Sequence, residues 1–425
     1  MNPKTAEFKE AMLKVRERIA SAKRCGTHRG FIDYHGCITV TDEFIAILDE
    51  AENSAESGEF IFTYTVAALI LVNLAKLAGF ADDSTGSITG AQGYVRDFLE
   101  KICCRVERGS PDAEVIFLQS LTDSQNKVFD DWGDYSYDLL LPAARLASAK
   151  NVNRLYATLD SLDTKLSRDE FTWHKEKDRL VRLEAIKATE GERAAEGFIA
   201  DNIQYDSICR IAIRNSLEKG DFSLAEELCR GKIDSTDRGY HWTRQWYDML
   251  FEVYTKSGNK EQQAELAREL LIKECDTRYY AVLKQLLSEK GVWEEAYPSL
   301  LEKLARNLPS NLYMDILSIE NETRLLFEQL KADPSMVFVY GKQLYAEFPA
   351  EIRAICSDEI RQQAAKANNR SRYRQVCGYI KNLHSYGGKT DLGSIIDQLK
   401  AEYPRRPAFI DELDKLGAWL AKKKK

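Results

Sequence analysis

The sequence predicts an all-α fold, an N-terminal helical bundle continuous with a tetratricopeptide-like α-solenoid of helix-turn-helix repeats. Three observations predict it. Between about Tyr205 and Pro404, helical patterns end again and again at a short glycine or polar corner and then restart. Ile211–Asp221 gives way to Phe222–Lys232, Met249–Asn259 to Lys260–Lys273, Lys284–Gly291 to Val292–Asn307, and Arg374–Gly388 to Thr390–Pro404. Each of these helices carries a narrow apolar stripe that a lone helix cannot bury, so neighbours must stack. Finally, the 425 residues include only 9 prolines and 23 glycines, most of them at apparent corners, which excludes a β-sandwich or a long disordered region.

The N-terminal elements come first. Phe8, Met12, Val15 and Ile19 repeat at helical intervals over Phe8–Arg24, and Cys25–Gly30 breaks that helix. Arg29–Gly36 reads as a short turn-bounded segment. Thr41 or Asp42 then caps a helix over Phe44–Glu56. Glu59–Gly79 reads as a more fully buried helix, because Phe60, Phe62, Val66, Leu69, Ile70, Leu74 and Leu77 cover more than one stripe. Asp82–Gly86 is a loop of short polar residues suited to turns and caps. Helices follow over Ala91–Val106, from Pro111, and over Ser136–Ala149, Asn153–Leu162 and Phe171–Glu190. Helix pairs then run to the end, with Pro298, Pro309, Pro334, Pro349 and Pro404 near their boundaries. The expected domains are 1–170, the bundle, and 171–425, the solenoid. Corner glycines Gly220, Gly258 and Gly291 lie 38 and 33 residues apart, close to the tetratricopeptide period. The W…LG…Y pattern of that repeat is absent, so the array is tetratricopeptide-like only.

Charge is unevenly spread. The net charge is −7, yet from Glu351 onward lysine and arginine outnumber aspartate and glutamate by 16 to 9. A uniformly basic nucleic-acid binder is excluded; a locally basic end is not. The longest apolar run, Tyr64–Leu77, is broken by Asn73 and Lys76 and reads as too short to span a bilayer. Met1–Arg24 is charged throughout and does not read as a signal peptide. Nine cysteines without a CxxC pair, mostly among apolar neighbours, read as reduced thiols. The expected location is cytoplasmic, with no membrane association.

Three passages carry a family resemblance. They are Arg29-Gly-Phe-Ile-Asp-Tyr-His-Gly36, Asp82-Asp-Ser-Thr-Gly86, and Arg372–Lys381 together with Tyr403-Pro-Arg-Arg-Pro-Ala-Phe-Ile-Asp-Glu-Leu413. Asp130-Asp-Trp-Gly-Asp-Tyr135 joins them. In this order they resemble the helical C-terminal region of bacterial proteins that carry a SWIM zinc finger, over nearly the whole chain. The resemblance implies a bacterial helical-repeat protein working beside nucleic-acid machinery through that finger. The finger needs Cys-x-Cys followed by Cys-x-His, and neither occurs here. Its nucleic-acid role therefore does not carry over. The chain begins about where the family's helical region begins, as a stand-alone relative or an isolated segment.

Four sets of residues are candidate sites. Cys25, His28, His35 and Cys37 form a Cys₂His₂ ligand set within thirteen residues. Their spacing matches no standard finger, and an inter-helix connector is the favoured reading. Asp82 and Asp83, and Asp130, Asp131, Asp134 and Asp138, are carboxylate clusters. Asp130, Asp134 and Asp138, four apart on one helix, would share a face able to hold a divalent cation. Caps and a solvated acidic face are the favoured reading, and a surface for a basic partner lies between the two. Lys366, Arg370, Arg374 and Lys381 fall within a narrow helical arc beside an apolar face of Tyr373, Val376, Cys377, Ile380 and Leu383. Such a ridge suits phosphates and bases; arginines facing solvent or neighbouring acids, with core tyrosines, are favoured over it. Tyr240, Trp242 and Trp246, with His241, Tyr247 and Tyr254, make a dense aromatic helix that suits a partner surface or inter-repeat packing.

No GxSxG, Walker A or Rossmann fingerprint is present, and the five histidines are scattered. The expected function is a non-enzymatic scaffold without cofactor that binds a protein partner along a concave surface. The alternative is an accessory nucleic-acid-binding subunit acting through Lys366, Arg370, Arg374 and Lys381.

Overall fold

A computed structural model describes residues 5–166, 173–236, 239–386 and 392–423. Twenty-two α-helices and two short 3₁₀ turns account for the regular structure among them, with two isolated bridges and no strand. The chain is an all-α solenoid of helical hairpins. It divides into two compact units, Met1–Val253 and Tyr254–Lys425. The boundary expected at 170 lies outside the described residues.

In the first unit the helices are α1 (Ala6–Gly26), α2 (Tyr34–Glu56), α3 (Phe60–Ala78), α4 (Ser87–Arg105), α5 (Pro111–Asp123), α6 (Asp134–Ala144), α7 (Val152–Leu166), α8 (Trp173–Thr189), α9 (Glu192–Asp201), α10 (Asp206–Lys219) and α11 (Phe222–Asp234). Each packs mainly on its neighbour in sequence or on the next but one, and α3 also reaches α6. α2, α4, α6, α8 and α10 touch in succession, and so do α1, α3, α5 and α7. Two layers result. The hairpin ladder expected from Tyr205 thus already runs through the N-terminal segment, because the stripes there are broad enough to pack on both layers.

α12 (Tyr240–Ser257) contains the division between units. The second unit continues with α13 (Lys260–Lys273), α14 (Arg278–Glu289), α15 (Trp293–Asn307), α16 (Ser310–Ile319), α17 (Thr323–Ala332), α18 (Val337–Leu344), α19 (Pro349–Lys366), α20 (Arg370–Ser385), α21 (Leu392–Glu402) and α22 (Pro407–Lys423). Here too packing is between near neighbours, such as α13 with α14 and α15, and α20 with α18, α19 and α22.

The corners repeat one device. Gly220, Gly258 and Gly291 take φ of 75°, 71° and 74°, the left-handed region that L side chains avoid. After each, an N–H reaches back five residues to close the helix end: Asp221 to Ser216, Asn259 to Tyr254, Val292 to Leu287. Asp221 and Asn259 then cap the next helix by accepting from Leu224 and Gln262. A further corner has the same geometry with Asn321 (φ 58°) in the glycine position and Glu322 bonded back to Leu317.

Several local expectations need correcting. α2 starts at Tyr34, not near Phe44, because Asp33 accepts from the Gly36 N–H at 2.8 Å and caps it there. Thr41 lies inside that helix, its hydroxyl donating to the Cys37 carbonyl. Pro298 lies within α15 rather than at its edge. The corner from Gly388 to Thr390 lies outside the described residues. The apolar run also extends further than Tyr64–Leu77. α3 is 19 residues long and holds an 18-residue window of mean hydropathy 1.9, enough by length and composition to cross a membrane, but 72% of that window is buried within the protein. It packs on α1, α2, α4, α5 and α6.

Candidate functional site

The Cys₂His₂ candidates lie on and beside the connector between α1 and α2. The His28 and Phe31 backbones bond to each other in both directions, and Ile32 bridges to Ala81. Cys37 is fully buried, and burial, followed by Asp83, Asp82 and Asp33, pushes its thiol up to about 11. Cys25, His28 and His35 are exposed. Among the described residues no three histidine, cysteine, aspartate or glutamate side chains gather closely enough to hold a metal. What the segment does instead is bring α1 and α2 into contact at Gly26 and Gly36. A Cβ on Gly36 would stand 2.2 Å from the Gly26 carbonyl oxygen.

The aromatic helix separates into two faces. Trp246 is 2% exposed, beneath Lys232, whose Nζ lies 5.6 Å from the ring centroid. It is buried, as are Leu250 and Val253, and cannot meet a partner; its spacing from them sets it on the inward stripe. Trp242 is 57% exposed. Tyr240 is half-buried and packs against Tyr247 at 5.7 Å.

The basic ridge is largely committed. Tyr373, Val376, Cys377, Ile380 and Leu383 are all buried. Arg370 donates from Nε to Glu412 at 2.8 Å and also pairs with Asp411, while Arg374 approaches Glu412 at 3.5 Å. Burial pushes the Glu412 carboxyl up, but Arg370, Lys415 and Arg374 together hold it below its ordinary value. Lys381 sits over the Trp419 ring at 5.3 Å. Lys366 is exposed. The sequence shows no acid near this ridge; α22 supplies the acids by packing onto α20. Nearby, Arg406 donates to the Ala364 and Ala367 carbonyls at 2.8 and 2.9 Å, closing the C-terminus of α19.

The carboxylates divide between paired, buried and exposed positions. Asp130, Asp134 and Asp138 do not share a helix: Asp130 ends the 3₁₀ turn Lys127–Phe129, and α6 begins only at Asp134. Trp132 and Gly133 intervene. Asp130 pairs with Lys165, and Asp138 is buried, accepting from the Gln92 amide at 2.6 Å. Burial raises the Asp138 carboxyl above the ordinary aspartate range, against the pull of Gln92, Lys177 and Arg96. Asp83 caps α4, accepting from the Ile88 N–H at 2.8 Å.

Because α4 packs on α6, and α6 on α8, the sequence-distant Asp83, Asp131 and Asp134 share one cleft of about 460 Å³. Its walls include Asp83, Gln92, Asp131, Trp132, Asp134 and Trp173. Trp132 and Trp173 are 42% and 38% exposed. The Trp173 ring packs over Gly133, where a Cβ would lie 3.0 Å from its Cη2. Sequence reasoning had the aspartates but missed Gln92, Trp132 and Trp173. The signal was present in Asp-Trp-Gly-Asp, a tryptophan on a turn rather than on a helical stripe.

Comparison with protein families finds no match, and comparison with curated proteins finds none. A solved structure described as a circular tandem repeat protein with novel repeat topology and enhanced subunit contact surfaces is similar at 15% identity, over 98% of this chain and 95% of that one, with a TM-score of 0.23.

Proposed function

We propose that the chain is a non-enzymatic helical-repeat scaffold that binds a protein partner on the surface of its stacked hairpins. One observation carries this reading: of its six tryptophans, Trp132, Trp173 and Trp242 are more than a third exposed. Exposed indoles cost solubility, and tryptophan is the residue type most enriched among energetic centres of protein interfaces. Neighbour-only packing fits the same role, since it builds long surfaces. Nine unpaired thiols, six of them buried, support a reducing, cytoplasmic setting. Kinship with the helical region of SWIM zinc-finger proteins belongs to the same proposal, supported by the ordered passages Arg29–Gly36, Asp82–Gly86, Asp130–Tyr135 and Arg372–Lys381.

The test is affinity capture with the full chain under mild conditions, beside a Trp132→Ala/Trp242→Ala variant. A partner retained by the wild type and lost by the variant is expected. Recovery of no partner, or equal retention by both, overturns the reading.

A further inference from the structure

We infer that the cleft between the α3–α4 loop and the start of α6 receives an arginine side chain from a basic segment of the protein partner. This rests on the partner-binding reading and names the chemistry of one contact.

Charge is the first argument. The cleft presents Asp83, Asp131 and Asp134, and no lysine or arginine lines it among the described residues. Other exposed carboxylates of the same unit have cationic partners. Asp130, next to this doublet, has Lys165; Asp160 has Arg182; Glu100 has Arg145. Asp131 and Asp134 form no ion pair among the described residues and stay exposed. The cations near enough to act on the buried Asp138, Lys177 and Arg96, are not part of the wall.

Shape and ring chemistry are the second. Two tryptophans border the same carboxylates, one on the turn between Asp131 and Gly133, the other seated on Gly133. An indole face attracts a cation, and a carboxylate beside it receives the fork of N–H groups that only guanidinium presents. An ammonium would gain the charge but not the flat stacking. The volume suits one or two side chains, not a folded domain. Phosphate-bearing ligands would meet three carboxylates, which disfavours nucleic acid here. A divalent cation lacks a gathered ligand set, and Asp83 is already engaged in capping α4.

The experiment uses the full chain and a short fluorescein-labelled Gly-Ser peptide carrying spaced arginines, followed by fluorescence anisotropy at low salt. Lysine and glutamate versions of the peptide serve as comparisons. Binding should weaken about tenfold in Asp131→Asn/Asp134→Asn, and about fivefold in Trp132→Ala, as expected for loss of charge-assisted and cation–π contacts. Trp132→Phe should keep part of the affinity, and unchanged melting of these surface variants excludes misfolding. Equal binding by wild type and variants, equal binding of the lysine or glutamate peptide, or no arginine-peptide binding overturns the inference. The same aspartate variant used in affinity capture separates the two readings. A partner held equally by wild type and variant defeats the cleft while leaving a protein partner in place. Arginine-peptide binding lost in the variant, with no partner captured by either, supports the pocket and defeats the scaffold reading.

Discussion

Replacing Gly36 with alanine adds a single methyl group where α1 meets α2, and the geometry sets its cost. The new Cβ would stand 2.2 Å from the Gly26 carbonyl oxygen and 3.2 Å from Ile32 Cγ2. A comfortable carbon–oxygen approach is about 3.3 Å, so the two backbones must part by about 1 Å. Opening a packed seam that far forfeits up to about half of each dispersion contact along it. The seam includes Ala22, Ile32, Cys37 and Val40, all buried. Overpacking of this kind costs about 1–3 kcal/mol or more, and here the obstacle is backbone, which cannot swing away. The helix-propensity gain from glycine to alanine, about 1 kcal/mol at most, is small at the third residue of α2. We expect a net loss of about 2 kcal/mol and a fall of about 4–8 °C in the melting of the first unit. Scanning calorimetry is the assay, because a chain with two units need not melt in one step. Gly197→Ala is the internal control: it lies inside α9 with nothing within 4 Å of its Cβ position. The same chemical change there should stabilise by about 0.5–1 kcal/mol. A Gly36→Ala protein melting at or above the wild type would refute the reasoning.

Other perturbations separate roles that the sequence could not. Trp246→Ala should destabilise by about 3–5 kcal/mol in denaturant titration, whereas Trp242→Ala should stay within about 0.5 kcal/mol. Asn321→Val places a branched side chain at φ 58° and should cost about 1–2 kcal/mol, while Asn321→Gly should be tolerated; unfolding midpoints of the two variants measure the difference. Arg370→Glu should lower the melting point of the second unit by setting a like charge beside Glu412, without changing salt-dependent oligonucleotide retention. For Asp138 burial raises the folded-state pKa, so its protonated form is favoured in the fold. Its contribution is fully present below the unfolded aspartate value of about 4 and is lost as pH rises through the higher folded value. The stability of wild type relative to Asp138→Asn should therefore fall with rising pH in that window, measured by urea titration at successive pH values.

The helices and most corners were legible because period and breaker agree in this sequence. Gly220, Gly258 and Gly291 announce left-handed corners by residue type. Asn321 makes the same corner but reads as an ordinary polar residue, so that turn was invisible. The start of α2 was misplaced for a related reason: Asp33, Thr41 and Asp42 have the same capping chemistry, and only the tertiary setting of Gly36 selects the first. The ion pairs of Arg370 could not be read either, since their partners lie 41 and 42 residues away on α22. The cleft was harder still. Its aspartates stand in two groups about 50 residues apart, joined only when α4 packs on α6. Helical counting then misled: Asp130, Asp134 and Asp138 are evenly spaced, but a 3₁₀ turn and Trp132-Gly133 throw the first out of register.

Contacts limited to the next hairpin and the one after give this protein a particular grain. Among the described residues, the helices of a unit that pack substantially together lie at most three apart in sequence, so a hairpin can be lost, duplicated or replaced and mainly its near neighbours must adjust. The matching corners, closed by the same backbone bond at glycines and at Asn321, are the joints at which such exchanges would leave geometry intact. Sequence drift along the ladder should then be measured in whole hairpins. A swap cut at Gly258 and Gly291 should yield a folded chain, where a cut within α13 should not.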